Sequence, residues 1–110
     1  FISVHVPLTP KTTNLISSDA FGKMKNGVVF VNVSSGGIVD MDALRQALAD
    51  DKLKAVAIDV YEDQQDTFAK SGLIDHEKIF PAPHLGAATL EARERAEIEA
   101  ISILKDFFNV

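Results

Sequence analysis

The chain reads as an α/β protein of about four parallel strands with flanking helices, and three observations point there. β-rich apolar runs and helical patterns alternate in the order strand, helix, strand, helix, strand, loop, strand, helix, which is the succession of a parallel sheet. Two of the runs, Val28–Val33 and Ala55–Val60, are almost continuously apolar, as strands of a parallel sheet are when both faces are covered. Cap and turn residues punctuate the boundaries between them. At 110 residues the chain is one domain.

Phe1–Val6 is a short β-branched run stopped by Pro7, a strand feeding a loop. Leu8–Thr13 is polar and turn-prone. Ser17 and Ser18 offer caps for a short helix through Lys25, which Asn26-Gly27 stops. Val28–Val33 is the second strand, and Ser34-Ser35-Gly36-Gly37 is a tight turn in which glycine lets backbone come close to something. Asp40 caps a helix over Met41–Ala49, where Leu44 and Leu48 lie one turn apart. Ala55–Val60 is the third strand, Asp63–Asp75 a loop with about one helical turn, and Ile79–Ala82 the fourth strand. Thr89 then caps the longest helix, with Glu91 near the positive end of its dipole. Leu90, Ile98, Ile101, Leu104, Phe107 and Phe108 give that helix a broad apolar surface.

This order creates a covering problem. Right-handed crossovers stepping one way across a sheet put their helices on one face. The first two helices would therefore leave the other face bare, to be covered by the last helix or by another chain. A homodimer, with the long helix exchanged between protomers, is the arrangement this predicts.

Composition removes several classes of function. An apolar content of 46% with 25% charged residues fits a globular chain with a real core. A net charge of −5 with no basic run argues against nucleic acid. No cysteine means no disulfide, thiolate zinc site or cysteine nucleophile, and fits a reducing cytoplasm. No apolar stretch approaches the roughly 18–20 residues of a membrane span, so no membrane partner is expected. The three histidines lack metal-ligand spacing, and no metal site is expected. The chain opens at Phe1, without Met and inside a strand, which reads as a fragment.

Two side chains stand out by chemistry alone. Asp59 ends a buried strand, where a carboxylate is costly unless it caps a loop or meets a ligand. His84 lies in a loop, and imidazole is the side chain best suited to exchange a proton near neutral pH. His76, among Asp75, Glu77 and Lys78, reads as surface. The Gly-x-Gly-x-x-Gly turn that seats a dinucleotide pyrophosphate is absent. So is the acidic residue about 20 positions later that would hold a ribose.

Four segments in order carry a resemblance: Ser3-Val4-His5-Val6-Pro7-Leu8-Thr9, Val33-Ser34-Ser35-Gly36-Gly37, Ile58-Asp59-Val60-Tyr61-Glu62 and Pro83-His84-Leu85-Gly86-Ala87-Ala88-Thr89. Together they resemble the second half of the cofactor-binding domain of the D-isomer-specific 2-hydroxyacid dehydrogenases. The resemblance implies a half-Rossmann fold, a two- or three-layer sandwich, on the nicotinamide side of NAD. It also implies that the missing glycine-rich turn lies upstream in the family.

By the same resemblance Asp59 would receive the nicotinamide carboxamide or ribose, and His5, Val6 and Pro7 would pass close to the cofactor's ribose and phosphates. Val33, Ser34, Ser35, Gly86 and Ala87 would line the nicotinamide pocket beside His84. His84 would exchange a proton with the substrate oxygen as hydride moves to or from nicotinamide. Two departures remove charge. Ser35 stands where the family has an arginine that clamps the substrate carboxylate, and one neutral hydroxyl cannot reproduce a charged planar fork. Gln64 stands where the family has a glutamate that pairs with the catalytic histidine and raises its pKa.

The expectation is therefore a half-domain that keeps the fold, binds NAD weakly or not at all, and is inactive alone. Its parent reaction would interconvert a D-2-hydroxy acid and a 2-oxo acid. The rival expectation is a non-catalytic module that self-associates or docks to a complementary half supplying the missing turn. A third is a truncated but active enzyme using Glu62 with His84. The loop around Tyr61–Phe68 looks like D-lactate dehydrogenase, whereas His84–Arg93 looks more like phosphoglycerate dehydrogenase or glyoxylate reductase, so the acid is not read.

Overall fold

A computed structural model describes residues 1–61 and 72–109. The elements are β1 (Ile2–Val4), α1 (Ser18–Lys23), β2 (Val28–Asn32), a 3₁₀ turn (Gly36–Ile38), α2 (Met41–Ala49), β3 (Leu53–Ile58), β4 (Ile79–Pro81) and α3 (Leu90–Phe108). The four strands form one sheet in the order β1-β2-β3-β4, and every pairing is parallel. The α/β class and the strand count are those the alternation predicts. Most of the expected loop at Asp63–Asp75 lies outside the described residues.

Burial alternates along the strands with the two-residue period of a sheet that is covered on one side. Phe30 and Asn32 of β2 are buried, as are Val56 and Ile58 of β3; Val29, Val31, Ala55 and Ala57 between them are only half-buried. On the covered side α1 and α2 pack against each other. Phe21 of α1 meets Phe30 edge-on, their rings 5.6 Å apart and inclined at 70°. Leu44 and Leu48 of α2, with Ile38 and Val39 before it, complete that core. The core thus lies between one helical layer and one sheet face, a two-layer sandwich among the described residues.

Among the described residues, no helix packs on the opposite face. The register aligns Ser3, Val31, Ala57 and Phe80 in one row across all four strands, and Phe80 is 64% exposed. Among the described residues, the last helix does not cover that face. Helix α3 has no buried residue; Leu90, Ile98, Ile101, Leu104, Phe107 and Phe108 are all exposed. The radius of gyration is 17.1 Å, against about 13 Å for a compact 100-residue domain, and the longest dimension is 59 Å. A helix of this length spans roughly 28 Å, so one that stands off the sheet accounts for the elongation.

The caps follow local chemistry. Asp40 Oδ1 accepts from the Asp42 and Ala43 N–H groups at 3.0 Å each, and Thr89 Oγ1 accepts from Ala92 N at 3.2 Å. α3 ends on Asn109 in the left-handed region. α1 differs from expectation. Ser17 occupies the cap position without a side-chain bond, and the helix stops at Lys23 because Met24 turns extended, with ψ 155°. Met24 then packs against the core, and Gly27, at φ +75°, donates its N–H to Lys52 O. The strands are shorter at their carboxyl ends than the apolar runs suggest, which leaves Val33, Asp59 and Ala82 as the first loop residues.

Candidate functional site at the carboxyl ends of the strands

All four segments singled out in the sequence leave the carboxyl ends of parallel strands, the side on which open α/β sheets bind ligands. His5, Val6 and Pro7 follow β1; Val33, Ser34 and Ser35 follow β2; Asp59 follows β3; His84, Gly86 and Ala87 follow β4.

After β1 the chain is exposed, with His5 Nε2 hydrogen-bonded to Ser3 Oγ at 2.7 Å. After β2 the backbone is shaped by Asn32, which the sequence reading did not single out. Asn32 is 1% exposed, the sole buried polar residue among the described ones. Its Nδ2 donates to Ser35 O at 2.9 Å, and its Oδ1 accepts from Ser34 N and Ser34 Oγ at 3.2 and 3.1 Å. A buried amide with both ends satisfied fixes the Ser34-Ser35 turn. Ser35 itself is half-buried, and its hydroxyl makes no capping bond to the 3₁₀ turn that it precedes. The two glycines that follow are buried, and neither adopts a positive φ. Their carbonyl side is held instead by the segment ahead of α1: Asn14 N donates to Gly37 O and Ile16 N to Ile38 O.

Asp59 emerges from β3 with its N–H donated to Asn32 O at 3.1 Å, so the ends of β2 and β3 are joined. Its carboxylate reaches the loop after β4. Oδ1 accepts from Leu85 N at 2.8 Å and Oδ2 from Gly86 N at 2.9 Å. The loop-capping role that chemistry alone allows Asp59 is therefore present. A carboxylate offers about four acceptor sites, so two stay free for a ligand amide or hydroxyl. His84 is exposed and has φ +59°, a left-handed conformation uncommon for any residue with a Cβ.

Tyr61 also escaped the sequence reading as a site residue. Its hydroxyl donates to Ala82 O at 2.7 Å and lies 3.1 Å from Ile58 O, tying the ends of β3 and β4. Burial pushes its phenol above the ordinary value, and the charge of Asp59 adds to that rise. The signal for Asn32 was a polar residue inside an apolar run, two positions before Ser34-Ser35-Gly36-Gly37. No comparable local signal marked Tyr61, since the partner that ties it to β4, Ala82, lies 21 residues on. His76 is half-buried rather than surface: its Nδ1 accepts from Lys78 N and its backbone closes the turn into β4. Gln64, Glu62 and Asp63 lie outside the described residues.

The residues present suit the nicotinamide end of a dinucleotide and lack the features that hold the rest of it. Backbone groups from four strand ends, one carboxylate with spare acceptor sites and the imidazoles of His5 and His84 lie at the carboxyl ends of the strands. No glycine-rich turn occurs in the sequence, and no arginine stands at Ser35.

Comparison with known proteins agrees with this geometry. The family model for the D-isomer specific 2-hydroxyacid dehydrogenase NAD binding domain matches residues 1–86. The chain is 43% identical over 99 residues to D-3-phosphoglycerate dehydrogenase 2 of Arabidopsis thaliana, covering 90% of this chain and 16% of that protein. D-mandelate dehydrogenase of Rhodotorula graminis superposes with a TM-score of 0.83 at 30% identity, over 96% of this chain and 30% of the other. The NAD-dependent formate dehydrogenase of Staphylococcus aureus, crystallised with NAD, superposes at 0.77 with 37% identity, over 97% and 32%. The chain thus spans a third or less of each of these proteins. With its four parallel strands and the matched segments at their carboxyl ends, the chain belongs to the D-isomer-specific 2-hydroxyacid dehydrogenase NAD-binding domain family.

Proposed function

We propose that these 110 residues bind the nicotinamide end of NAD weakly and do not turn over a 2-hydroxy acid by themselves. The observation that carries this is the rim at the strand ends, where Asp59 and His84 are joined through the β4 loop while the clamp position holds Ser35. His5, Val6 and Pro7 would border ribose and phosphate, and Val33, Ser34, Ser35, Gly86 and Ala87 the nicotinamide ring. Bound NAD would supply a hydride acceptor. His84 would take the hydroxyl proton of a D-2-hydroxy acid on its imidazole, and return it in the reverse direction. With Ser35 for arginine and Gln64 for glutamate, the chain lacks at these two positions the family's bidentate partner for the substrate carboxylate and its carboxylate partner for the histidine. Such losses act together, so turnover should fall many-fold.

Calorimetry tests the first part: millimolar or weaker NAD affinity is expected, and micromolar binding by this chain alone would overturn it. Steady NADH production from D-2-hydroxy acids that disappears in His84→Ala would overturn the second. The cysteine-free composition supports a reducing, cytoplasmic setting.

A second reading, self-association, is favoured by the exposed apolar side of α3 and the sheet face that no helix covers among the described residues. Each copy has a helix seeking a surface and a surface seeking a helix, so a two-fold dimer with exchanged α3 satisfies both. Sedimentation giving a monomer at micromolar concentration would remove it.

A further inference from the structure

We infer that Asp59 is a positioning residue for His84, its carboxylate setting the backbone turn from which the imidazole leaves the sheet. The inference deepens the reading of His84 as the proton-exchanging group and rests on it.

His84 sits at φ +59°, which an L residue with a Cβ adopts only when its surroundings hold it there. What holds it lies on both sides. Ahead of it, Ala82 N donates to Ile58 O at 2.8 Å, and Ala82 O accepts from the Tyr61 hydroxyl at 2.7 Å. Behind it, Leu85 N and Gly86 N each donate to a separate oxygen of Asp59. The segment Ile58–Tyr61, at the end of β3, thus grips the β4 loop before and after His84. Charge-assisted bonds of this kind are about twice as strong as neutral ones, so the Asp59 side is the stronger grip.

Gly86 shows how closely the two chains approach. A Cβ built there would stand 3.2 Å from Asp59 Oδ2, although Gly86 has no positive φ that would itself require glycine. A side chain at this position would press on the carboxylate that holds the loop. Gly86 is thus tied to Asp59 by space, and His84 is tied to it by backbone geometry.

The test is nuclear magnetic resonance on the isotopically labelled 110-residue chain, with two variants. Asp59→Asn keeps one acceptor oxygen and replaces the other with a donor. Gly86→Ala leaves the carboxylate charge and crowds Oδ2. In Asp59→Asn the Leu85 and Gly86 amides should exchange about tenfold faster or more, the size of one lost charge-assisted bond. In both variants the HN–Hα coupling of His84 should leave its left-handed value and the ring signals should shift, while the resonances of Phe30 and Leu44 stay in place. Unchanged His84 coupling and ring signals in a variant whose core resonances are intact would overturn the inference. Gly86→Ala keeps the test open if Asp59→Asn does not fold. The His84 signals alone decide this inference, whereas NAD-induced shifts in the unmodified chain decide the cofactor reading, so the two can fail separately.

Discussion

The two faces of the sheet are made from the same strands and have opposite fates. One side carries Phe30, Val56 and Ile58 against α1 and α2, and its largest side chains are completely enclosed. The other carries Val31, Ala57 and Phe80 in register and meets no helix among the described residues, while α3, apolar along much of its length, has no buried residue. Amphipathy therefore shows which surfaces need covering but not where the cover comes from. The comparison also separates fold from site, because the strand-end loops are anchored from the covered side: Asn32 shares a face with Phe30, and its amide shapes the Ser34-Ser35 turn.

The sharpest way to break the comparison is to cut into the covered side. Phe30→Ala should cost about 3–5 kcal/mol in denaturant unfolding, since it removes a ring that is fully buried and packed against Phe21. A loss near zero would mean that the two faces are energetically alike. Next comes Asn32→Ala, which strands Ser34 N and Ser35 O beside a buried gap. About 1–3 kcal/mol should be lost, with chemical-shift changes centred on Ser34 and Ser35.

Asp40→Ala should cost about 1 kcal/mol, because two N–H groups of α2 lose their shared acceptor. Smaller still is an alkaline effect. The Tyr61 pKa is raised on folding, so the folded state holds its proton more tightly than the unfolded one. Its contribution is complete below the ordinary phenol range, near pH 10, and is lost as pH rises through the folded value. Tyr61→Phe should flatten that alkaline decline in stability. Least of all, Leu104→Ala on α3 should change monomer unfolding by within about 0.5 kcal/mol. A larger and concentration-dependent change would show that α3 is covered by a second copy.

Local chemistry made much of the fold legible. Asp40 and Thr89 were readable as caps because each bond spans two or three residues. The strands were readable from apolar runs. What escaped was long-range. The reach of Asp59 to Leu85 and Gly86 spans 26 and 27 residues, and Tyr61 to Ala82 spans 21. Nothing in the spacing encodes such bonds until the strands are placed side by side. The end of α1 escaped for another reason: Lys25 is a good helix former, but Met24 gains more by turning its side chain into the core. At the rim, position and chemistry diverged. The sequence located His84 and Asp59 at strand ends and allowed Asp59 a loop-capping role, without showing that the capped loop is the one that carries His84.

The sheet's order, identical to chain order, bears on how it assembles. Ile2 pairs with Phe30, Phe30 with Val56 and Val56 with Ile79, separations of 28, 26 and 23 residues. No pairing demands a longer closure, so the entropic penalty rises little from one to the next. The sheet can zip strand by strand from either edge, with kinetics between those of helical bundles and all-β sandwiches.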